Sequence, residues 1–251
     1  MRVLVACEYS GVVRDAFAAK GHDAWSCDLL PSLRAGLHHQ GDVRPILDGW
    51  VPIRFYGECD PEDCGECKVS GLETACCNCL GPTQDGIEYT EIDGRLFGRP
   101  EDAPRWDLMI AHPPCTYLAR AGLHWNYKVL GRADKTEEAL GFVQILLDAP
   151  IPRIALENPM GRISTVIRPP DQTIQPWQFG HPESKATCLW LKGLPKLKET
   201  NVLPKPPSGR WQNQTPSGQN KVGASKARWA KRSQTYPGIA EAMADQWGPS
   251  H

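Results

Sequence analysis

Near its start the chain places apolar residues in short continuous runs rather than in alternation. Arg2 to Cys7 reads as a buried strand, Gly11 opens a helical stretch through Ala19, and Gly21 stops it before a second apolar run, Asp23 to Cys27, ending at Asp28. Strands that are apolar throughout fit a parallel sheet covered by helices on both faces. From roughly Trp50 to Pro104 the pattern breaks into a Cys-rich, Gly-rich, acidic stretch, and it resumes with an apolar strand from Trp106 to Ala111. Leu140, Val143, Leu146 and Leu147 predict a helix from about Lys135 to Leu147. Further strands are predicted at Arg153 to Leu156 and Lys185 to Leu191, with an irregular stretch between them after Pro169-Pro170. From Pro195 to about Gln219 the chain is rich in Pro, Gly, Ser, Asn and Gln, and reads as too polar for a packed core. A last amphipathic helix, about Pro237 to Trp247, sets Ile239, Ala240, Met243 and Trp247 on one side.

These elements predict an α/β fold with a Rossmann-like sheet, formed by residues 1–50 and 105–251 and interrupted by an insertion at 51–104. A chain of 251 residues that is 41% hydrophobic can bury one substantial core and still carry such an appendage. It holds no run of about 18 apolar residues, and Glu8 follows the first strand too soon for a signal peptide. A cytoplasmic protein with no membrane partner is expected, and no protein partner is implied.

Charge divides the chain. Lys185 to Arg232 carries eleven Lys or Arg against the single Glu199, although the whole chain has a net charge of -1. Within the segment 185–235 this basic surplus points to a polyanion partner. Glu58 to Asp107, by contrast, holds thirteen acidic and four basic residues, which disfavours nucleic acid across that part.

Six of the ten cysteines fall between Cys59 and Cys79. Cys64-x2-Cys67 and Cys76-x2-Cys79 form two knuckles whose spacing suits a tetrahedral four-thiolate site for structural zinc, with Cys59 and Cys77 to spare.

Three loops that follow predicted strands carry the residue types of a reactive site. His112-Pro113-Pro114-Cys115 comes first, since two prolines hold a loop extended and fix where the cysteine points. Leu156-Glu157-Asn158-Pro159 is the second, and ligands of open parallel sheets bind beyond such strand ends, so Cys115 and Glu157 should converge. The third is Glu8-Tyr9-Ser10-Gly11, where Gly11 permits a tight turn and close approach of a ligand, while Asp28 and Asp42 are placed to contact the ribose hydroxyls and adenine of a cofactor.

In this order, Tyr9-Ser10-Gly11, Asp28, Asp42, Pro113-Pro114-Cys115 and Glu157-Asn158-Pro159, closed by a helix in Tyr236 to Trp247, resemble the DNA cytosine carbon-5 methyltransferases, and more closely a compact version common in phages and prophages. The resemblance covers most of the chain outside the insertion. It implies a class I sheet that binds S-adenosylmethionine through Glu8, Tyr9, Ser10, Gly11, Asp28, Asp42 and Pro113, and DNA whose target cytosine is flipped out. Cys115 would be the nucleophile and Glu157 the acid that activates the base. Asn158, Lys185, Arg228, Lys231 and Arg232 would contact the substrate, Lys185 standing nearest to where the family has an arginine pair. The setting would be a bacterial host or phage-infected cell. Val13 and Arg14 stand where the family usually has further glycines, and the large target-recognition domain is missing or reduced to the basic segment.

The chemistry requires that Glu157 be protonated near neutral pH, which burial would favour by penalising its charged form. The same chemistry on RNA or a cytidine nucleotide is the alternative substrate. A non-catalytic zinc-bearing nucleic-acid binder on a methyltransferase scaffold is the alternative class.

Overall fold

A computed structural model of the chain describes residues 1–48, 106–217, 221 and 234–248, together with the backbone of 51–52, 87–92 and 95–100. The chain divides into two compact units, residues 1–48 with 106–251, and residues 49–105.

The larger unit is built on a seven-stranded sheet. Within it β1 (Arg2–Ala6) pairs in parallel with β2 (Asp23–Asp28), and β2 pairs in parallel with β3 (His38–Gln40). In the smaller unit, β4 (Val51–Pro52), β5 (Ile87–Ile92) and β6 (Arg95–Pro100) form an antiparallel sheet in the order β4-β6-β5. Back in the large sheet, β7 (Leu108–Ala111) lies parallel on the other side of β1 and is followed by β8 (Ile154–Asn158). Beyond β8 the direction reverses: β10 (Thr187–Lys192) runs antiparallel to both β8 and the edge strand β9 (Gln172–Ile174). The order is β3-β2-β1-β7-β8-β10-β9.

Central strands of such a sheet are shielded on both faces, and all four residues of β7 and Val3 to Ala6 of β1 are buried accordingly. Val3, Val5, Leu108 and Ile110 join a core with Val13 and Phe17 of α1 (Val12–Ala18) and Ile239, Met243 and Trp247 of the last helix, α4 (Pro237–Trp247). Each such side chain contributes about 1.5–3 kcal/mol by leaving water. Trp247 also donates its indole N–H to the carbonyl of Pro195 at 3.1 Å. Between β7 and β8, α2 (Arg132–Asp148) packs on β8 and on the short α3 (Arg162–Val166), burying Leu140, Val143 and Leu146. α2 is longer than the periodicity predicts because Gly131, in the left-handed region at φ 73°, opens it a turn earlier.

Two stretches read as irregular or polar carry more structure than their composition suggests. β9 and the 3-10 turn Pro176–Gln178, closed by reciprocal bonds between Gln175 and Gln178, lie where the chain reads as irregular. Within the expected polar loop, Leu197 is buried in the core, and Trp211 stacks on Trp177 with ring centroids 5.7 Å apart. Isolated apolar residues in a Pro-rich context leave no periodic signal to announce such anchoring.

Candidate functional site

The connections from β1 and β7 leave in opposite directions along the sheet, and beyond the carboxyl ends of such a strand pair an α/β sheet forms its ligand crevice. At the end of β1, Cys7 takes a left-handed φ of 60°, unusual for a residue with a side chain, and turns the chain toward α1. Glu8, buried at 4% exposure, then accepts hydrogen bonds from the backbone N–H of Val13 (2.8 Å) and Arg14 (3.2 Å) and from the hydroxyl of Ser10 (3.0 Å). Ser10 in turn accepts from the N–H of Val12 at 3.4 Å. Thus the positive end of α1 is neutralised by the protein's own carboxylate, and those amides are not offered to a phosphate. Gly11 has φ 72°, and a Cβ there would stand 2.6 Å from the guanidinium of the buried Arg14. Arg14 ties α1 to the hydroxyls of Ser26 and Ser32 and the carbonyls of Arg34 and Ala35.

A cavity of about 300 Å³ opens beside this turn, lined among others by Cys7, Cys27, Asp28, Asp42, Pro114 and Phe142. Asp28 ends β2, accepts from the N–H of Leu30 at 2.9 Å, and has its carboxyl raised above the ordinary range, chiefly by burial. Asp42 lies across the cavity and is held below that range, first by the hydrogen bond from Arg44. Burial, with Asp28 and Asp42 nearby, pushes the Cys7 thiol up to about 12. Of the proposed cofactor residues, Asp28 and Asp42 therefore face the cavity, whereas Glu8, Ser10 and Gly11 shape the turn behind it. Tyr9 is buried, its carbonyl accepting from the N–H of Leu33 at 2.8 Å. Pro113 is buried, and Pro114 takes the lining position instead. Cys7, Pro114 and Phe142 are lining residues that sequence reasoning missed; only the prolines lay in a motif that could have suggested them.

The loop after β7 is fastened to the end of β8. Asn158 donates its side-chain amide to the carbonyl of Pro113 at 2.8 Å, entirely within the interior. Further along, Arg120 donates its backbone N–H to Met160 (3.1 Å) and Arg162 donates to Leu118 (2.8 Å). The two loops approach so closely that a Cβ on Gly161 would stand 2.0 Å from the carbonyl of Leu118, so only glycine fits. Cys115 begins this fastened segment and is exposed. The prolines, Asn158 and the loop contacts thus set an accessible thiol at the same sheet end as Glu157.

Glu157 lies within β8 and meets His112, the last residue before the prolines. Nδ1 of His112 stands 2.8 Å from Oε2 of Glu157, and the two side chains are 7% and 14% exposed. Burial raises the Glu157 carboxyl, but the His112 hydrogen bond and the charge of Lys185, with smaller help from Thr187, outweigh it and hold the group below its ordinary range. These neighbours favour the charged form of Glu157, against the protonation expected from burial alone; they come from the loop after β7, from Lys185 ahead of β10 and from Thr187 at its start. Lys185, half-buried ahead of β10, has Nζ 3.5 Å from the carbonyl of Gln234 and 5.8 Å from the ring centre of Tyr236. Arg228, Lys231, Arg232 and the four cysteines Cys64, Cys67, Cys76 and Cys79 lie outside the described residues. Among the described residues no group of three or more His, Cys, Asp or Glu is placed to hold a metal ion, and no helix is long and apolar enough to cross a membrane.

No protein-family model matches the chain, and no curated protein matches it.

Proposed function

We propose that this chain transfers a methyl group from S-adenosylmethionine to carbon 5 of cytosine in DNA. One observation carries the reading: an exposed cysteine on the loop after β7 and a hydrogen-bonded glutamate near the end of β8, joined by the Asn158–Pro113 bond, sit at one end of a mostly parallel sheet that also borders a cavity with two aspartates. The sheet order, with a reversed strand next to the last parallel one, fits the class I methyltransferase sheet implied by the resemblance.

The residues fit this cofactor better than a phosphate-bearing one. Glu8 fills the helix terminus where a dinucleotide would set its pyrophosphate, while Asp28 and Asp42 suit ribose hydroxyls and the positive charges of an amino-acid sulfonium. When bound, the cofactor supplies an electrophilic methyl group. The protein's own work is to activate the base, because carbon 5 of cytosine is a poor nucleophile. Addition of the Cys115 thiolate at carbon 6, with a proton supplied to ring nitrogen 3 through Glu157, makes carbon 5 an enamine carbon able to attack. After transfer, loss of the carbon-5 proton expels Cys115. Pro113 and Pro114 fix the direction of attack, and in a duplex the base must leave the stack to meet it.

RNA or a cytidine nucleotide is the second reading. From Leu194 to Ser217 the chain forms no helix, and its aromatic anchor Trp211 is buried, so the described part of the basic segment offers no reading head for a DNA groove. DNA replaced at the target by 5-fluorocytosine decides between these, since fluorine cannot leave as a proton and the cysteine adduct persists. An adduct through Cys115 with fluorinated duplex supports the first reading; adducts only with fluorinated RNA or nucleotide support the second.

Cys64, Cys67, Cys76 and Cys79 are proposed to hold one structural zinc in the insertion, on the strength of their spacing.

A further inference from the structure

Cys115 leads directly into a stretch of chain whose large side chains the fold leaves uncovered. Its carbonyl accepts from the backbone N–H groups of Leu118 (3.1 Å) and Ala119 (2.9 Å), and the 3-10 helix Arg120–Tyr127 follows at once. None of the eight residues of that helix is buried, although they include Leu123, Trp125 and Tyr127. Trp125 is 47% exposed and Tyr127 94%, and just beyond them Val129 and Leu130 stand in solvent. Large apolar side chains gathered in water over one short stretch mark a contact surface.

This stretch is fastened at both ends beside the nucleophile. Arg132, where the chain returns, donates from its guanidinium to the carbonyl of Thr116 at 3.0 Å and lies over the Tyr117 ring, 4.8 Å from its centre. The hydroxyl of Thr136 reaches the carbonyl of Tyr117 at 3.1 Å and accepts from the side-chain amide of Asn126 at 2.8 Å. Charge on the stretch has one sign: from Cys115 to Arg132 the chain carries Arg120, Lys128 and Arg132 and no Asp or Glu. Nζ of Lys128 stands 5.6 Å from the centre of the Trp125 ring, so cation and ring lie side by side.

We infer that this surface docks the DNA strand that bears the target cytosine: Trp125 and Tyr127 stack on bases left unpaired around it, and Arg120 and Lys128 meet its phosphates. The inference rests on the methyltransferase reading above and gives that site its polymer contact. A base delivered to Cys115 has left its stack, which uncovers the faces of its neighbours. Aromatic rings interleaved with cations suit such faces and the phosphates between them, whatever the sequence. The aliphatic tip Val129-Leu130 has no use for phosphates, but it can enter the gap that an extruded base leaves. A second copy of the chain fits the surface less well, because a self-complementary contact would set Arg120 and Lys128 against their own counterparts with no acid on the stretch to offset them.

Fluorescence anisotropy with labelled oligonucleotides tests this without catalysis. The same target cytosine is offered in a fully paired duplex, in a duplex whose cytosine and neighbouring bases are mismatched, and in a single strand. The wild type should bind the two unpaired forms about tenfold or more tighter than the paired duplex. Tyr127→Ala combined with Leu130→Ser should lose most of that preference, whereas Tyr127→Phe should keep it, because the ring and not the hydroxyl stacks. Lys128→Gln should weaken all three forms alike and flatten their salt dependence. A wild type that binds the paired duplex as tightly as the unpaired forms, or a preference that survives the double variant, overturns the inference. So does self-association of the wild type that the double variant abolishes, measured by sedimentation without DNA, since it would assign the face to a second copy. A protein that prefers unpaired DNA through Tyr127 and Leu130 yet methylates no cytosine upholds the docking surface and overturns the function reading instead.

Discussion

The side-chain amide of Asn158 donates to the carbonyl of Pro113 across 2.8 Å, joining the strand that carries Glu157 to the loop that carries Cys115. Asn158→Ala leaves that buried carbonyl without this donor and should cost about 1–3 kcal/mol of stability. Because the bond positions the nucleophile but lies behind the cavity, methyl transfer should fall by about tenfold or more, and cofactor affinity should hardly change. Urea unfolding, calorimetric titration with S-adenosylmethionine and a turnover assay read the three effects. Equal losses of binding and turnover would contradict the positioning role.

Glu8 fastens the start of α1. Glu8→Ala removes the acceptor for the amides of Val13 and Arg14 and should destabilise the protein by about 1–2 kcal/mol in chemical denaturation. No change in the denaturation midpoint would show that another group caps the helix.

Asp28 is expected to set function against stability. Its carboxyl is raised above the unfolded value, mainly by burial, so its contribution to stability is fully present at pH below the ordinary carboxylate range and is lost as pH rises through the raised value. Asp28→Asn should therefore raise the unfolding midpoint at neutral pH, with the gain vanishing under acid conditions. The same substitution should weaken cofactor binding by about tenfold. A variant that is less stable at neutral pH, or that binds the cofactor normally, would contradict the placement of Asp28 at the cofactor.

Metal analysis of freshly purified protein should return about one equivalent of zinc, and a chelator should release it with loss of order in the insertion. Less than about half an equivalent would count against the four-cysteine site.

The sequence made the central elements legible where the signal is local. Continuous apolar runs mark β1, β2 and β7, and the spacing of Ile239, Met243 and Trp247 marks α4 from Pro237. β3 and β9 have three residues each, too few for any period to show. Strand direction is likewise absent from composition, which is why the reversal of β10 could not be read. At the site, the convergence of the Cys115 and Glu157 loops follows from their places at strand ends. The charge of Glu157 does not, because it is set by His112 and Lys185, neighbours distant in sequence. Nor does the place of Glu8 in its turn reveal that its carboxylate is bonded to the start of α1.

The central claim is tested most directly by incubating the protein with methyl-labelled S-adenosylmethionine and, separately, cytosine-containing duplex DNA, single-stranded DNA, RNA and cytidine nucleotide, and then identifying the labelled product. The account predicts label on carbon 5 of cytosine in duplex DNA, abolished by Cys115→Ala while cofactor binding persists, and strongly reduced by Glu157→Gln. Absence of label on every cytosine substrate, or normal turnover by Cys115→Ala, would contradict it.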